Sequence, residues 1–153
     1  ACRTKTPDAV EREATLRRRL AEPVAAGRVR FAGEVADIFG LLASARVVVF
    51  PAESTYAKMD VPLVVLEAMA LGTPVILADV APLRECLGDD PAGAGGMLVP
   101  ALDPDALASA VQELLSDPDG ARQRGLLAAA HVRAHRDAAV VCRRYLEIYD
   151  ELL

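Results

Sequence analysis

The residues with the clearest chemical meaning lie in one stretch, Lys58-Met59-Asp60-Val61-Pro62-Leu63-Val64-Val65-Leu66-Glu67-Ala68-Met69-Ala70-Leu71-Gly72-Thr73-Pro74-Val75-Ile76. Pro62 opens a helix that Gly72 ends, and this helix follows the apolar run Val47 to Phe50, which reads as a β-strand. In an α/β sheet that order sets the helix start at the carboxyl ends of the strands, where such sheets bind ligands. The N–H groups of Leu63 and Val64 have no acceptor inside the helix, and with the helix dipole they favour an anion. Glu67 follows one turn later. Helical side chains lean toward the N-terminus, so its carboxylate is expected over the same opening. A carboxylate repels phosphate but accepts well from the hydroxyls of a ribose diol. An anion site beside a diol acceptor points to a nucleotide.

Other chemically suggestive residues give blander readings. His131 and His135 are four apart, a helical spacing that can bind zinc, but no third ligand stands at a matched distance, so they read as a solvated pair and no metal is expected. Gly93-Ala94-Gly95-Gly96 follows Asp89-Asp90-Pro91 rather than a strand and precedes a strand rather than a helix, which makes it a turn and not a dinucleotide loop. Arg17-Arg18-Arg19 reads as a solvated helix face, any membrane contact being left to the full-length protein. Cys2, Cys86 and Cys142 lack paired spacing and read as reduced packing residues. The net charge of -5 argues against a nucleic-acid partner, which would need a basic stripe. No apolar run approaches the roughly 20 residues of a membrane span, and the charged opening segment does not resemble a signal peptide, so a cytoplasmic location is expected.

These residues need a scaffold, and the chain of 153 residues is one domain's worth. Thr6, Pro7 and Asp8 start a charged helix expected to reach about Ala21, with Pro23 and Gly27 as its stop. Val29 to Phe31 alternates toward Gly33 as a short strand, and a helix is expected over Glu34 to Ser44. Val47 to Phe50 and Val75 to Ala78 are uninterrupted apolar runs, the pattern of central strands covered on both faces of a parallel sheet. A short helical piece over Pro82 to Leu87 and a strand over Met97 to Val99 continue the alternation. Asp103-Pro104-Asp105 and Asp117-Pro118-Asp119 each open a helix of the tail, residues 104–153, and Val141, Tyr145, Ile148 and Leu152 form a stripe on the last one. The expectation is a Rossmann-like α/β parallel sheet with flanking helices and a helical C-terminal tail. Ala1 and Cys2 read as the end of a strand, so the domain is expected to be incomplete at its N-terminal side.

With these elements in place, Leu63 to Ile76 resembles the retaining, GT-B-fold glycosyltransferases of family four, the glycosyl transferases group 1, through Glu67-Ala68-Met69-Ala70-Leu71-Gly72-Thr73-Pro74-Val75. Val29-Arg30-Phe31-Ala32-Gly33-Glu34-Val35 is similar to the family's strand and base-contacting turn, which would bring Gly33 and Val35 to the donor. Pro82 to Glu85, Gly96 to Pro100, Asp103 to Leu107 and Leu114 to Pro118 extend the resemblance along most of the chain. It implies the C-terminal nucleotide-sugar-binding domain of such an enzyme, with Glu67, Leu63, Val64, Gly33 and Val35 at the donor, an NDP-sugar as substrate, no cofactor and no bound metal. The acceptor domain would lie outside this chain, as would the basic residues that clamp the diphosphate. The family's first glutamate, which contacts the donor sugar, falls on Met59. Asp60 in a shifted register, or Glu53 in a lengthened loop, would then supply the carboxylate. The usual Gly-Phe-Gly is Asp60-Val61-Pro62 here, so the donor loop differs. A nucleotide-sugar epimerase of the same fold would lack the Glu-Ala-Met-Ala segment. A non-catalytic nucleotide-binding or interaction module of the same ancestry is the other alternative.

Overall fold

The computed structural model describes residues 7–53 and 61–152. They fall into two units, Ala1–Ile38 and Phe39–Leu153.

In the first unit, α1 spans Pro7–Arg19, with Asp8 in its first turn and Arg17, Arg18 and Arg19 in its last, each opposing the local end of the helix dipole. Arg17 pairs with Glu13 one turn back and lies 4.3 Å from the centre of the Phe31 ring. The helix expected to run to Ala21 breaks at Leu20, and Pro23 does not terminate it. Pro23 instead sits in the first turn of α2, Ala21–Ala25, where its missing N–H would have had no intrahelical acceptor. Gly27, at φ 69°, makes the turn that follows. The strand expected at Val29 to Phe31 does not form: the N–H groups of Arg28 and Val29 donate back to the Pro23 carbonyl, at 2.9 and 3.2 Å, rather than to a neighbouring strand. The next helix, α3, is Ile38–Ser44, shorter than the expected Glu34 to Ser44, and all but its first residue belong to the second unit. Gly33 at φ 60° and the bends after it carry the chain outside the helical region until Asp37, a residue type suited to a helix start.

The second unit holds the sheet. Its strands are β1 Val48–Phe50, β2 Val75–Ala78 and β3 Met97–Val99, in the order β1-β2-β3 and parallel throughout. Val49 pairs with Ile76 and Leu77 with Leu98, so the three strands finish together. Every residue of β2 is buried. β1 is at the sheet's edge rather than its centre, and Val49 is 41% exposed; the double-sided coverage expected of both apolar runs is met by β2 alone among the described residues.

Helix α4, Leu63–Ala70, returns the chain from the end of β1 to the start of β2. It buries Val65, Ala68 and Met69 and packs on α7, Pro118–His135. Helix α5, Ala81–Arg84, follows β2, and α6, Pro104–Ser116, follows β3. Ile76, Val99, Ala110, Leu114 and Ala121 form one buried cluster between the sheet and the helices α6 and α7. Thr73, a buried polar side chain, donates to the Leu42 carbonyl at 2.9 Å and so ties α3 to the entry of β2. The last helix, α8, is Ala138–Leu152 and has no buried residue; Tyr145, Ile148 and Leu152 of its expected stripe are exposed.

A close backbone contact seats α7. Gly125 lies against the Gly72 carbonyl so tightly that a methyl group on it would overlap the oxygen. At the far end of the helix, His131 is half-buried near Gly88, in a cleft of about 510 Å³ that also holds Asp89, Asp90, His135, Arg136 and Arg144. Burial, with His135 and Arg136 beside it, holds the His131 imidazolium below its ordinary pKa, against a smaller opposing hydrogen bond to the Cys86 backbone.

Gly125→Ala is expected to cost about 1–3 kcal/mol by forcing α7 away from Gly72, whereas Gln123→Ala on the exposed side of the same helix should stay within about 0.5 kcal/mol of wild type. Urea unfolding checks this, and equal midpoints for the two variants would remove the close contact as a determinant of stability. For His131, the folded pKa is depressed, so the stability contributed by the neutral ring is present above the unfolded value near 6.5 and is lost as pH falls through the folded one. Between about pH 7 and about pH 5, wild type should therefore lose more stability than His131→Gln. Parallel pH profiles would contradict the assignment.

Candidate nucleotide site

Because the sheet is parallel and its strands finish together, Phe50, Ala78 and Val99 end on one edge. A cleft of about 280 Å³ opens there, lined by residues including Pro51, Ala78, Val99, Leu102 and Asp103. Its walls are mainly apolar. Leu102 is 75% exposed and holds φ 63°, a left-handed conformation uncommon for a branched side chain, at the turn that carries the chain from β3 into α6. The Asp103 carboxylate is already engaged, accepting from the N–H groups of Asp105 and Ala106 at 3.1 and 2.9 Å as the α6 cap.

A helix connecting two parallel neighbouring strands must start on the side where the first strand ends, so the first turn of α4 stands on this same edge. Its N-cap is Pro62, with extended backbone angles and no side chain able to cap. The starts of α6 and α7 differ, since Asp103 and Asp117 accept from their first-turn N–H groups. At α4, the Val65 N–H reaches the Pro62 carbonyl at 3.0 Å, while the N–H groups of Leu63 and Val64 precede the first intrahelical bond. Leu63 is exposed and Val64 half-buried. Glu67, one turn on, is half-buried, and no hydrogen bond or ion pair engages its carboxylate among the described residues. Among the described residues the helix thus offers donors without an intrahelical partner at its start and an unengaged acceptor one turn later. That combination suits a phosphate next to a sugar diol.

Of the other residues expected at the site, Gly33 and Val35 belong to the first unit and are both half-buried, Gly33 making a left-handed turn at φ 60°. Glu53 is exposed, three residues beyond the end of β1. Asp60 and Met59 lie outside the described residues. The Gly93 to Gly96 segment is a turn as expected, with the Asp90 carboxylate accepting from the Gly93 N–H at 2.9 Å. His131 and His135 stand with ring centres 4.7 Å apart, and no group of three metal-ligating side chains occurs among the described residues.

Sequence reasoning did not single out the ion pair beside the cleft. Asp79, the residue after β2, is gripped by Arg84 through two nitrogens, with Nε to Oδ1 at 2.9 Å and Nη2 to Oδ2 at 2.6 Å. The five-residue separation falls outside the three- and four-residue spacings by which helical ion pairs are recognised. Only the turn between β2 and α5 brings the two together.

No helix among the described residues is long and apolar enough to cross a membrane. Residues 7–117 match the family described as glycosyl transferases group 1. The phosphatidyl-myo-inositol mannosyltransferase of Mycolicibacterium smegmatis is 34% identical over 126 residues, which are 82% of this chain and 31% of that protein. Among solved structures, a sucrose-phosphate synthase from Thermosynechococcus elongatus superposes with a TM-score of 0.74 at 32% identity, over 98% of this chain and 35% of that one. The Anabaena protein HepE, crystallised with UDP, superposes with a TM-score of 0.75 at 24% identity, over 94% of this chain and 37% of that one, a likeness of fold. The chain spans about a third of the length of these relatives. The parallel sheet, its flanking helices and its helical tail are those of a GT-B glycosyltransferase's Rossmann-like domain, and with the match over residues 7–117 they establish that this chain belongs to the glycosyl transferases group 1 family.

Proposed function

We propose that this chain is the nucleotide-sugar-binding half of a retaining glycosyltransferase, holding an NDP-sugar while an acceptor domain outside the chain presents the second substrate. The observation behind the reading is the start of α4: a helix end without a side-chain cap, on the edge where three parallel strands finish, with Glu67 one turn in and unengaged among the described residues. The N–H groups of Leu63 and Val64 would face the diphosphate, and Glu67 would accept from the ribose hydroxyls. Negative charge grows on the departing diphosphate during transfer, so donors fixed in advance at that point stabilise the transition state more than the ground state. No metal is required in this scheme. The UDP bound by HepE supports a nucleoside diphosphate as the ligand class. Asp60 or Glu53 would meet the sugar. On this reading the chain alone transfers nothing, since the acceptor side of the cleft is not in it. Cytoplasmic placement belongs to the same reading.

Met59 at the position of the family's first glutamate favours a second reading, a binding module of the same ancestry that holds nucleotide without catalysing transfer. Sugar transfer by the full-length protein separates the two.

Glu67→Ala should weaken nucleoside diphosphate binding by about ten- to a hundredfold, the loss of a charged acceptor's hydrogen bond to a diol, without unfolding the domain. Calorimetric titration of UDP, GDP and ADP into the full-length protein and its variant measures this. Deoxyribonucleotides lacking the 2′-hydroxyl should lose affinity in wild type but little more in the variant, because the two changes remove one interaction. A variant that binds the preferred nucleotide as tightly as wild type would move the ribose elsewhere.

A further inference from the structure

We infer that Arg84 is a positioning residue for donor binding, acting by cancelling the charge of Asp79 at the edge of the strand-end cleft; the inference rests on the proposed nucleotide site. Asp79 is one residue, about 3.8 Å of backbone, past Ala78, which lines that cleft. Its N–H donates to the carbonyl of Val99, another lining residue, at 2.7 Å, so its backbone is fixed beside the end of β3. An uncompensated carboxylate there would add a negative charge next to the strand-end edge on which the diphosphate is proposed to bind, and the screening length of about 8 Å at physiological salt sets how far that charge is felt. Arg84 covers both of its oxygens, Nη2 reaching Oδ1 at 2.5 Å and Oδ2 at 2.6 Å while Nε reaches Oδ1 at 2.9 Å.

Two observations separate this role from that of a structural tie. The turn between the two residues is already held by its backbone: the Val80 N–H donates to Ala78, and those of Leu83 and Arg84 donate to Val80, at 2.9 to 3.0 Å. The pair is also open to solvent, with side-chain exposures of 56% for Arg84 and 34% for Asp79, a setting in which an ion pair contributes little to folding. The geometry therefore makes Arg84 a local counterion, directed at a carboxylate that would otherwise repel the donor.

The test uses the full-length protein and titration with UDP, GDP and ADP at low and high salt. Arg84→Gln should weaken binding of the preferred nucleotide by about five- to twentyfold at low salt and by clearly less at high salt, where a bare charge is screened. Asp79→Asn combined with Arg84→Gln should return affinity to within about twofold of wild type, and so should Arg84→Lys, which keeps the charge without the fork. Thermal midpoints should move little in all three. Equal binding by Arg84→Gln and wild type overturns the inference while leaving the nucleotide site standing. A double variant as weak as the single one also overturns it, because the fork would then be holding the turn. If wild type binds none of the three nucleotides, the proposed site falls and this inference falls with it.

Discussion

The constraint on which the second unit depends is the complete burial of β2 between two parallel neighbours. Val75, Ile76, Leu77 and Ala78 expose almost nothing, and a backbone removed from water on both faces must find its hydrogen-bond partners in the adjoining strands. Parallel pairing on both sides then obliges each connection to return along the sheet, which brings the ends of β1, β2 and β3 to one edge and the start of α4 to the same edge. Functional geometry here is a consequence of strand direction. No side chain of the candidate site is needed to create the edge, only to use it.

Close approach of backbones fixes the layer that covers the sheet. Gly125 on α7 meets Gly72 at the turn from α4 into β2, and Gly95 meets the same helix near Arg124 and Ala128, so α7 is held where no side chain intervenes. Ala121, Ala128 and Ala129 are buried on its inward side for the same reason of space. Small residues on that side let α7 sit against the elements beneath it. The Asp79–Arg84 pair, in contrast, lies in solvent and adds little to that framework, which makes its placement beside the cleft a matter of charge.

The sequence was most readable where local chemistry and tertiary demand agree. The three strands of the second unit, the Asp-Pro-Asp helix starts and the Gly72 stop were legible because apolar runs, caps and left-handed turns leave direct marks. The failures occurred where only the neighbourhood decides. Val29 to Phe31 has a strand's alternation, yet the Val29 N–H bonds to the preceding helix; Pro23 resembles a stop but occupies a first turn that tolerates it. The edge position of β1 was likewise invisible, because an apolar run reads the same whether its second face is covered or open. Glu67, Leu63 and Val64 could be placed at a helix start from the sequence, and the absence of a cap there follows from Pro62 itself. The Asp79–Arg84 fork required the turn to be seen.

The central claim is that the start of α4 receives the phosphates of a nucleoside diphosphate. Hydrogen exchange of the full-length protein, followed by mass spectrometry with and without UDP, GDP or ADP, addresses it at the level of individual segments. The account predicts that the preferred nucleotide slows exchange in peptides spanning residues 62–70 and leaves those spanning residues 131–144, at the second cleft, unchanged. Protection of residues 131–144 with no change over residues 62–70 would contradict it.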